Sequence, residues 1–537
     1  MTAFAGRFGG TRDVAAALRP DGPAATLDEG PLALAWSPPG NAPGGTERTL
    51  CLIDGRLDPG AVARGYERDG ASVLGELRGE WALVLWDREQ RRGLIARDRL
   101  GMRGLFVHAS GRELLFASEV RNLLALLPTR PPPDRVAAGR WLERVSGRDD
   151  RTLYEGIRRM PPAGAIELLP DGTTRPFRHW RPRYHEPPPR TADDAAAQVR
   201  EGVAHAVERA LDGARQPALM LSGGLDSSTV AALAPRALPT YSRVFPDEPA
   251  VDEAERIAAT RAALGLTGVD MPFEQSGALA AQEQFIQAWE LPSVSPNRFV
   301  WAPLLQRAKA DGVDVLLDGE GGDELFGCAR YLIADHVRSG RPGAARATAR
   351  RLPGMGDHPD PRWVRRALAV YGLRGALPAP VHAALRSARR RDRQTGLGEW
   401  EWKRLDGPRW WAHLADSLTT DALGAGDQQR RDAALAGLEL RHPLRDPDLI
   451  ELALHLPPEL SFDPHADRPL VRRALAGRIP VDDDAKPAFN ALLDRAFAGP
   501  DAPLLRELLG DRAKANASSL DLFRAASLEL WLRHQNG

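Results

Sequence analysis

The sequence predicts an α/β protein in two parts: an α+β or layered-β unit over residues 1–185, then a parallel α/β unit with a helical C-terminal part over residues 186–537. Three observations lead to this. A chain of 537 residues is longer than one hydrophobic core ordinarily serves. Residues 182–190, PRYHEPPPR, carry three consecutive prolines, which stop helices and stiffen an extended linker. The pattern of elements also changes across that linker, from short strands with Gly-bearing turns to strands that alternate with helices.

Before the linker, residues 50–52, 81–87, 93–98 and 114–117 read as strands, with helices at about 61–77 and 134–146 between them. After it, residues 193–211 form a long amphipathic helix and 217–221 (PALML) a short buried strand. A Gly-rich turn and a helix follow, then strands near 240–245 and 267–272 with a helix near 252–264. Two helices span roughly 277–311, and residues 313–317 (VDVLL) are again a buried strand. Such alternation implies a parallel sheet covered on both faces, with ligands beyond the C-terminal strand ends. From about residue 330 the chain reads as mostly helical.

Composition removes several function classes. Lys plus Arg and Asp plus Glu are each 72, so the net charge is zero, unlike a generally basic nucleic-acid binder. The two cysteines, Cys51 and Cys328, exclude a disulfide framework and a Cys-rich zinc module, and Cys328 reads as a buried thiol. No signal-peptide pattern and no apolar run of about 18–20 residues is present, so a cytoplasmic protein with no membrane span is expected. Only four basic residues are lysines: Lys309, Lys403, Lys486 and Lys514. Zero net charge also hides a basic segment. From Tyr331 to Trp400 there are 14 Arg and 5 acids, 14 − 5 = +9, and Trp400, Trp402, Trp410 and Trp411 follow. Residues 338–393 and this Trp cluster could line a peptide site or dock a partner, or form a solvated Arg face; both readings stay open.

Two strand-end motifs carry chemistry. Leu221-Ser-Gly-Gly-Leu-Asp-Ser-Ser-Thr229 lies between a strand and a helix. Its paired glycines allow close approach of backbone to ligand, and its N–H groups at a helix N-terminus suit an anion. Asp226 is tolerable beside phosphates if Mg²⁺ lies between them. The Lys-Ser/Thr ending of a Walker loop is absent. Leu317-Asp-Gly-Glu-Gly-Gly-Asp-Glu-Leu-Phe-Gly327 places four acids at one strand end, where they repel one another unless a cation is present.

Together the motifs resemble those of the asparagine synthetase family, an SGGxDSS loop and a later GxGxDELF segment. Residues 437–446 (GLELRHPLRD) resemble its GxExRxPfxD segment, residues 468–472 (RPLVR) its K-x-x-L-R segment with Arg468 for Lys, and residues 486–489 (KPAF) its K-x-x-F turn. GEWALVLWD (79–87), ARDRLG (96–101) and FASE (116–119) resemble the glutaminase domain of the same enzymes. The resemblance implies a glutaminase-like N-terminal nucleophile domain, then an ATP-pyrophosphatase-type synthetase domain. It implies that a carboxylate attacks the α-phosphate of ATP, and that an amine displaces AMP from the acyl-adenylate. Leu221, Ser222, Gly223, Gly224, Leu225, Asp226, Ser227 and Ser228, with Asp318, Gly319, Gly321 and Gly322, would bind ATP. Asp226 and Asp323 would hold Mg²⁺. Glu320 would activate the amine, and Lys486 would neutralise charge on phosphate and on the tetrahedral intermediate. His442 reads as a packing or hydrogen-bonded residue rather than a base.

The chain departs from the family where glutamine is handled. The nucleophilic Cys of position 2 is Thr2, the N-G-E segment is Asp54-Gly55-Arg56, and D-G-x-F-A is Arg78-Gly79-Glu80-Trp81-Ala82. Two arginines cannot pair with a substrate ammonium group, so the domain is expected to be an inactive glutaminase kept for structure. The amine then comes from the substrate. Among subfamilies that work this way, β-lactam synthetases carry Tyr at the place of Glu320. Lasso-peptide cyclases join an Asp or Glu side chain to the peptide's own α-amine. The retained Glu320, the Arg-rich composition and the degenerate first domain resemble the second group. Expected partners are a precursor core peptide, a leader-binding protein and a leader peptidase. A synthetase using ammonia or a small amine, a β-lactam-type synthetase and a non-catalytic scaffold stay open.

Overall fold

A computed structural model describes residues 2–142, 150–274, 277–377, 405–419, 425–479 and 519–536. The first 180 residues build two six-stranded antiparallel sheets. One runs in the order Arg158–Arg159, Phe106–Ser110, Glu113–Ala117, Ala3–Phe8, Leu32–Ser37, Ala25–Asp28. The other runs Thr174–Arg178, Gly164–Leu168, Arg92–Arg97, Trp81–Asp87, Thr49–Gly55, Gly44–Gly45. The sequence alone had located only four of these twelve strands.

The period of two explains why Trp81–Asp87 is buried throughout. Ala82, Val84 and Trp86 face the other sheet, meeting Phe4, Phe8, Leu34 and Phe116. Trp81, Leu83 and Leu85 face outward and are covered by Val62, Ala63 and Tyr66 of the helix Pro59–Asp69. That helix stops at Asp69, and a 3-10 turn completes the predicted 61–77 stretch. The outer face of the first sheet is covered by helices Val120–Ala125 and Arg135–Leu142. Leu528, Trp531 and Leu532 of the C-terminal helix Ser519–Asn536 join the same core, so the last helix returns to the first domain.

Here a pH effect arises. His179 stacks on Trp81 with ring centroids 5.5 Å apart, and its Nε2 meets the Arg97 carbonyl at 2.9 Å. Burial pushes its pKa down to about 4. The folded state therefore prefers neutral His179, and as pH falls from the unfolded value near 6.5 towards 4 the unfolded chain binds the proton first. Stability falls over that window by about 2–3 kcal/mol from this group. His179→Gln should narrow the difference between melting temperatures at pH 7.5 and pH 5. An unchanged difference would remove His179 as its source.

The remaining sheet is parallel, in the order Gly268–Pro272, Thr240–Val244, Pro217–Met220, Val315–Leu317, Glu439–Arg441. The helix Ala192–Leu211 packs against it through Val199, Val203, Ala206, Val207 and Ala210, spaced at helical intervals. Thr191 caps its start by accepting from the Asp194 amide at 3.1 Å, beside Asp193 and Asp194 in the first turn. The fifth strand, Glu439–Arg441, is the exception among the described residues of a chain that is mostly helical after residue 330, as expected. It is three residues long, too short for periodicity to show. Among the described residues no helix is long and apolar enough to cross a membrane.

Candidate active site

The strand order sets the place of the site. Pro217–Met220 is flanked by Thr240–Val244 on one side and Val315–Leu317 on the other, so the direction of winding reverses between 217–220 and 315–317. At such a reversal the outgoing loops diverge and leave a crevice at the C-terminal strand ends. The two motif loops leave these two strands, and Arg441 pairs with Leu317 one strand further on.

The first loop runs from Leu221 to Gly224, and the helix Leu225–Leu233 follows. Gly223 has φ +77°, in the left-handed region that favours glycine. The Ser227 hydroxyl accepts from the Ser222 amide at 3.1 Å and meets the Ser222 hydroxyl at 3.0 Å, which ties the loop to the helix start. Among the described residues the buried Ser228 hydroxyl has no hydrogen-bond partner. In the second loop, glycine serves loop–loop contact. A Cβ on Gly319 would strike the Ser227 amide, and one on Gly322 would strike the Asp226 carboxylate. The helix Gly322–Phe326 then presents Asp323 in its first turn.

Asp226 and Asp323 converge. Nη1 of buried Arg468 bonds Oδ1 of Asp226 and lies 2.9 Å from Oδ1 of Asp323. Arg468 has φ +54° and sits at the start of the helix Pro469–Ala474, with its Nε on Asp467. Two hard oxygen donors meeting at one point suit Mg²⁺, which binds through one or two carboxylates plus phosphates. Among the described residues no cluster of three or more His, Cys, Asp or Glu could hold a metal by itself. The pair therefore fits a cation shared with a nucleotide better than a closed metal site.

Glu320 stands beside Arg445, 3.3 Å away. Asp318 Oδ1 accepts from the Glu320 amide at 3.1 Å and from His442 Nδ1 at 2.9 Å. Burial disfavours charge on His442, yet Asp318 and Glu80 outweigh it and hold its pKa above the usual value. Burial drives Cys328 up to about 12, so its thiol is inert at neutral pH. Lys486, the Phe489 turn, residues 378–393 of the basic stretch, and Trp400 and Trp402 lie outside the described residues, which omit 378–404 and 480–518. Trp410 and Trp411 are buried in the main core of the second half.

At the seam between the halves lies Arg103, which sequence reading missed, together with contacts of already noted residues that it did not foresee. Arg103, buried, donates to Asp54 at 3.4 Å and lies 3.7 Å from both Glu80 and Glu439. Arg56 donates to the carbonyls of Arg209 and Asp212 at the end of the helix Ala192–Leu211, and Arg441 donates to those of Ala210 and Asp212. Arg78 bonds Asp448 at 3.0 Å. The Thr2 amide donates to Asp54 at 3.0 Å. The arginines standing where glutamine would be read thus turn towards the second half. Their unusual identity at those positions was the only signal in the sequence.

A family model described as Asparagine synthase matches residues 198–537, and one described as Glutamine amidotransferase domain matches residues 53–180. The chain is 26% identical to Asparagine synthetase [glutamine-hydrolyzing] 3 of Bacillus subtilis, over 76% of the chain and 66% of that protein. It is 29% identical to Amidase chry2 of Gibberella zeae, over 53% of the chain and 45% of that protein. A Putative asparagine synthetase [glutamine-hydrolyzing] of Mycobacterium tuberculosis is 26% identical over 79% of the chain and 68% of that protein. The chain thus spans less than two thirds of the first two of these relatives. The solved glutamine phosphoribosylpyrophosphate amidotransferase of B. subtilis covers 63% of this chain and 77% of its own at 11% identity, with a TM-score of 0.24.

Proposed function

Because the chain belongs to the asparagine synthase family, with a glutamine amidotransferase-like domain ahead of the synthase domain, we propose that it forms an amide with ATP using an amine carried by its own substrate. One observation carries this: the positions that would read glutamine are spent on Asp54–Arg103 and on Arg56 and Arg78, which face the second half. With Asp54 engaged by the buried Arg103, and Arg56 and Arg78 adding positive charge, these positions would disfavour the glutamine ammonium group.

The substrate reading is a leader-free core peptide. An Asp or Glu side chain attacks the α-phosphate of ATP and pyrophosphate leaves. The peptide α-amine attacks the acyl carbon, its proton departs to a base, and AMP leaves, closing a macrolactam as in lasso peptides. In this reading Ser222–Ser228 and the 318–322 backbone hold the triphosphate, and the orphaned Ser228 hydroxyl is a donor kept for it. Asp226 and Asp323 would hold Mg²⁺, which when bound neutralises phosphate charge. Glu320, restrained by Arg445 and by the Asp318 turn, receives the proton of the attacking amine. Lys486 would meet the phosphate and the oxyanion. A leader-binding protein and a peptidase would deliver the peptide.

The test is mass spectrometry after incubation with ATP, Mg²⁺ and leader-free candidate peptides. Loss of one water, AMP release and protease resistance are expected, with no stimulation by glutamine. Amide formation only with added ammonia would replace this reading with a synthetase acting on a free acid. Glutamine hydrolysis by the purified chain would overturn the inactive first domain.

A further inference from the structure

We propose that the former glutamine pocket positions the amide-forming loop, and that Arg103 is its positioning residue. The idea rests on the reading that the chain forms amides at Glu320. Asp54 and Glu80 of the first domain and Glu439 of the parallel sheet all converge on the buried Arg103 guanidinium. Arg441 holds the same Glu439 at 2.9 Å, and Arg56 stands near enough to both to feel their charges. Three acids and three arginines therefore balance in one seam, and removing Arg103 leaves an excess of negative charge there.

The seam is linked to the reacting loop by short, direct steps. Glu439 begins the edge strand, which ends at Arg441, and His442 follows directly. The Arg441 carbonyl accepts from the Asp318 amide at 3.4 Å, and His442 holds the Asp318 carboxylate. That carboxylate in turn holds the Glu320 amide. Asp318 thus takes its place from the strand that Arg103 pins, and Glu320 takes its place from Asp318. The nucleotide loop at 221–228 leaves a different strand and meets this series only where Gly319 packs on the Ser227 amide. The arrangement gives a physical use to a glutaminase-like domain without glutamine chemistry: it fixes the edge strand of the neighbouring sheet.

The consequence is a split between half-reactions. Arg103→Met should slow product formation by about 10- to 100-fold, the scale for a displaced reacting group, and should slow ATP–pyrophosphate exchange, in which the 318–322 backbone also takes part, by clearly less. Arg103→Lys should recover much of the loss. Glu439→Gln removes the partner from the other side, should show the same split, and serves if Arg103→Met fails to fold. A second readout needs no turnover. In histidine-labelled protein, the Nδ1–H resonance of His442, assigned by its loss in His442→Gln, should move in Arg103→Met and return in Arg103→Lys. An unmoved His442 resonance, or equal loss in both half-reactions, would overturn the proposal. A wild type that forms no amide, yet shows the expected resonance shifts, would overturn the functional reading and leave the positioning intact.

Discussion

Asp323→Asn is expected to lower AMP release by roughly three orders of magnitude while leaving the fold in place. The size follows from what the carboxylate would do. A divalent cation beside a triphosphate supplies several kcal/mol of charge stabilisation, and about 4 kcal/mol corresponds to roughly 10³ in rate. Two carboxylates, Asp226 and Asp323, meet at the same Nη1 of Arg468. Losing one halves the protein's hard donors at that point. The stability cost is small, because the Arg468 guanidinium keeps Asp226 and Asp467 and because Asp323 is itself 43% exposed. Asp226→Asn should match it in rate but cost more stability, since Asp226 also packs against Gly322. Titrating Mg²⁺ in pyrophosphate exchange separates the causes: a weakened metal site raises the Mg²⁺ requirement, whereas a misfolded loop does not. Full activity in either variant would remove the pair from metal binding.

The two loops were legible because their chemistry is local. Gly-Gly beside Asp-Ser-Ser, and four acids among three glycines, are unusual in any segment, and each follows an apolar run that reads as a strand. The long helix Ala192–Leu211 was legible for the same reason, its cap and apolar face lying within one window. What failed was short or distant. AFAGRF, the strand Ala3–Phe8, carries a Gly and an Arg that hide its pairing with Leu32–Ser37. Glu439–Arg441 is a strand only because Val315–Leu317 lies beside it. Arg468 was visible as a departure from a Lys motif, but its bond to Asp226 joins residues 242 apart in sequence. With 68 arginines among 72 basic residues, no single arginine announces itself. Arg56 and Arg78 stand out in the sequence as charges unsuited to an ammonium group, yet nothing local shows that they reach the second half.

Glu119→Ala is expected to destabilise the protein by about 3–5 kcal/mol, the scale for removing one partner from a buried charge cluster. Glu119 lies at the start of the helix Val120–Ala125 and is buried in the first domain. Its two oxygens accept from Arg430 at 2.8 Å and Arg431 at 2.6 Å, on the helix Ala425–Leu435 of the second half. All three side chains are 5% exposed or less, so solvent cannot compensate the loss. Arg431 also stacks over Phe106 and Trp289, and the neighbouring Asp432, paired with Arg298, is raised to about 7 by burial. The seam already carries buried charge, and removing the carboxylate that two guanidiniums share adds to its imbalance. Glu119→Gln should cost less, because an amide oxygen still accepts one bond. Replacing Glu119, Arg430 and Arg431 together by Leu, Met and Met should recover most of the stability, as apolar replacement of a buried ionic cluster often does. Denaturant midpoints for the three variants decide it. The helix Ala425–Leu435 leads directly into Glu439–Arg441, so Glu119→Ala should also depress product formation, and the apolar triple variant should restore stability and activity together. An Ala variant within 1 kcal/mol of wild type would mean that the two halves do not depend on this cluster.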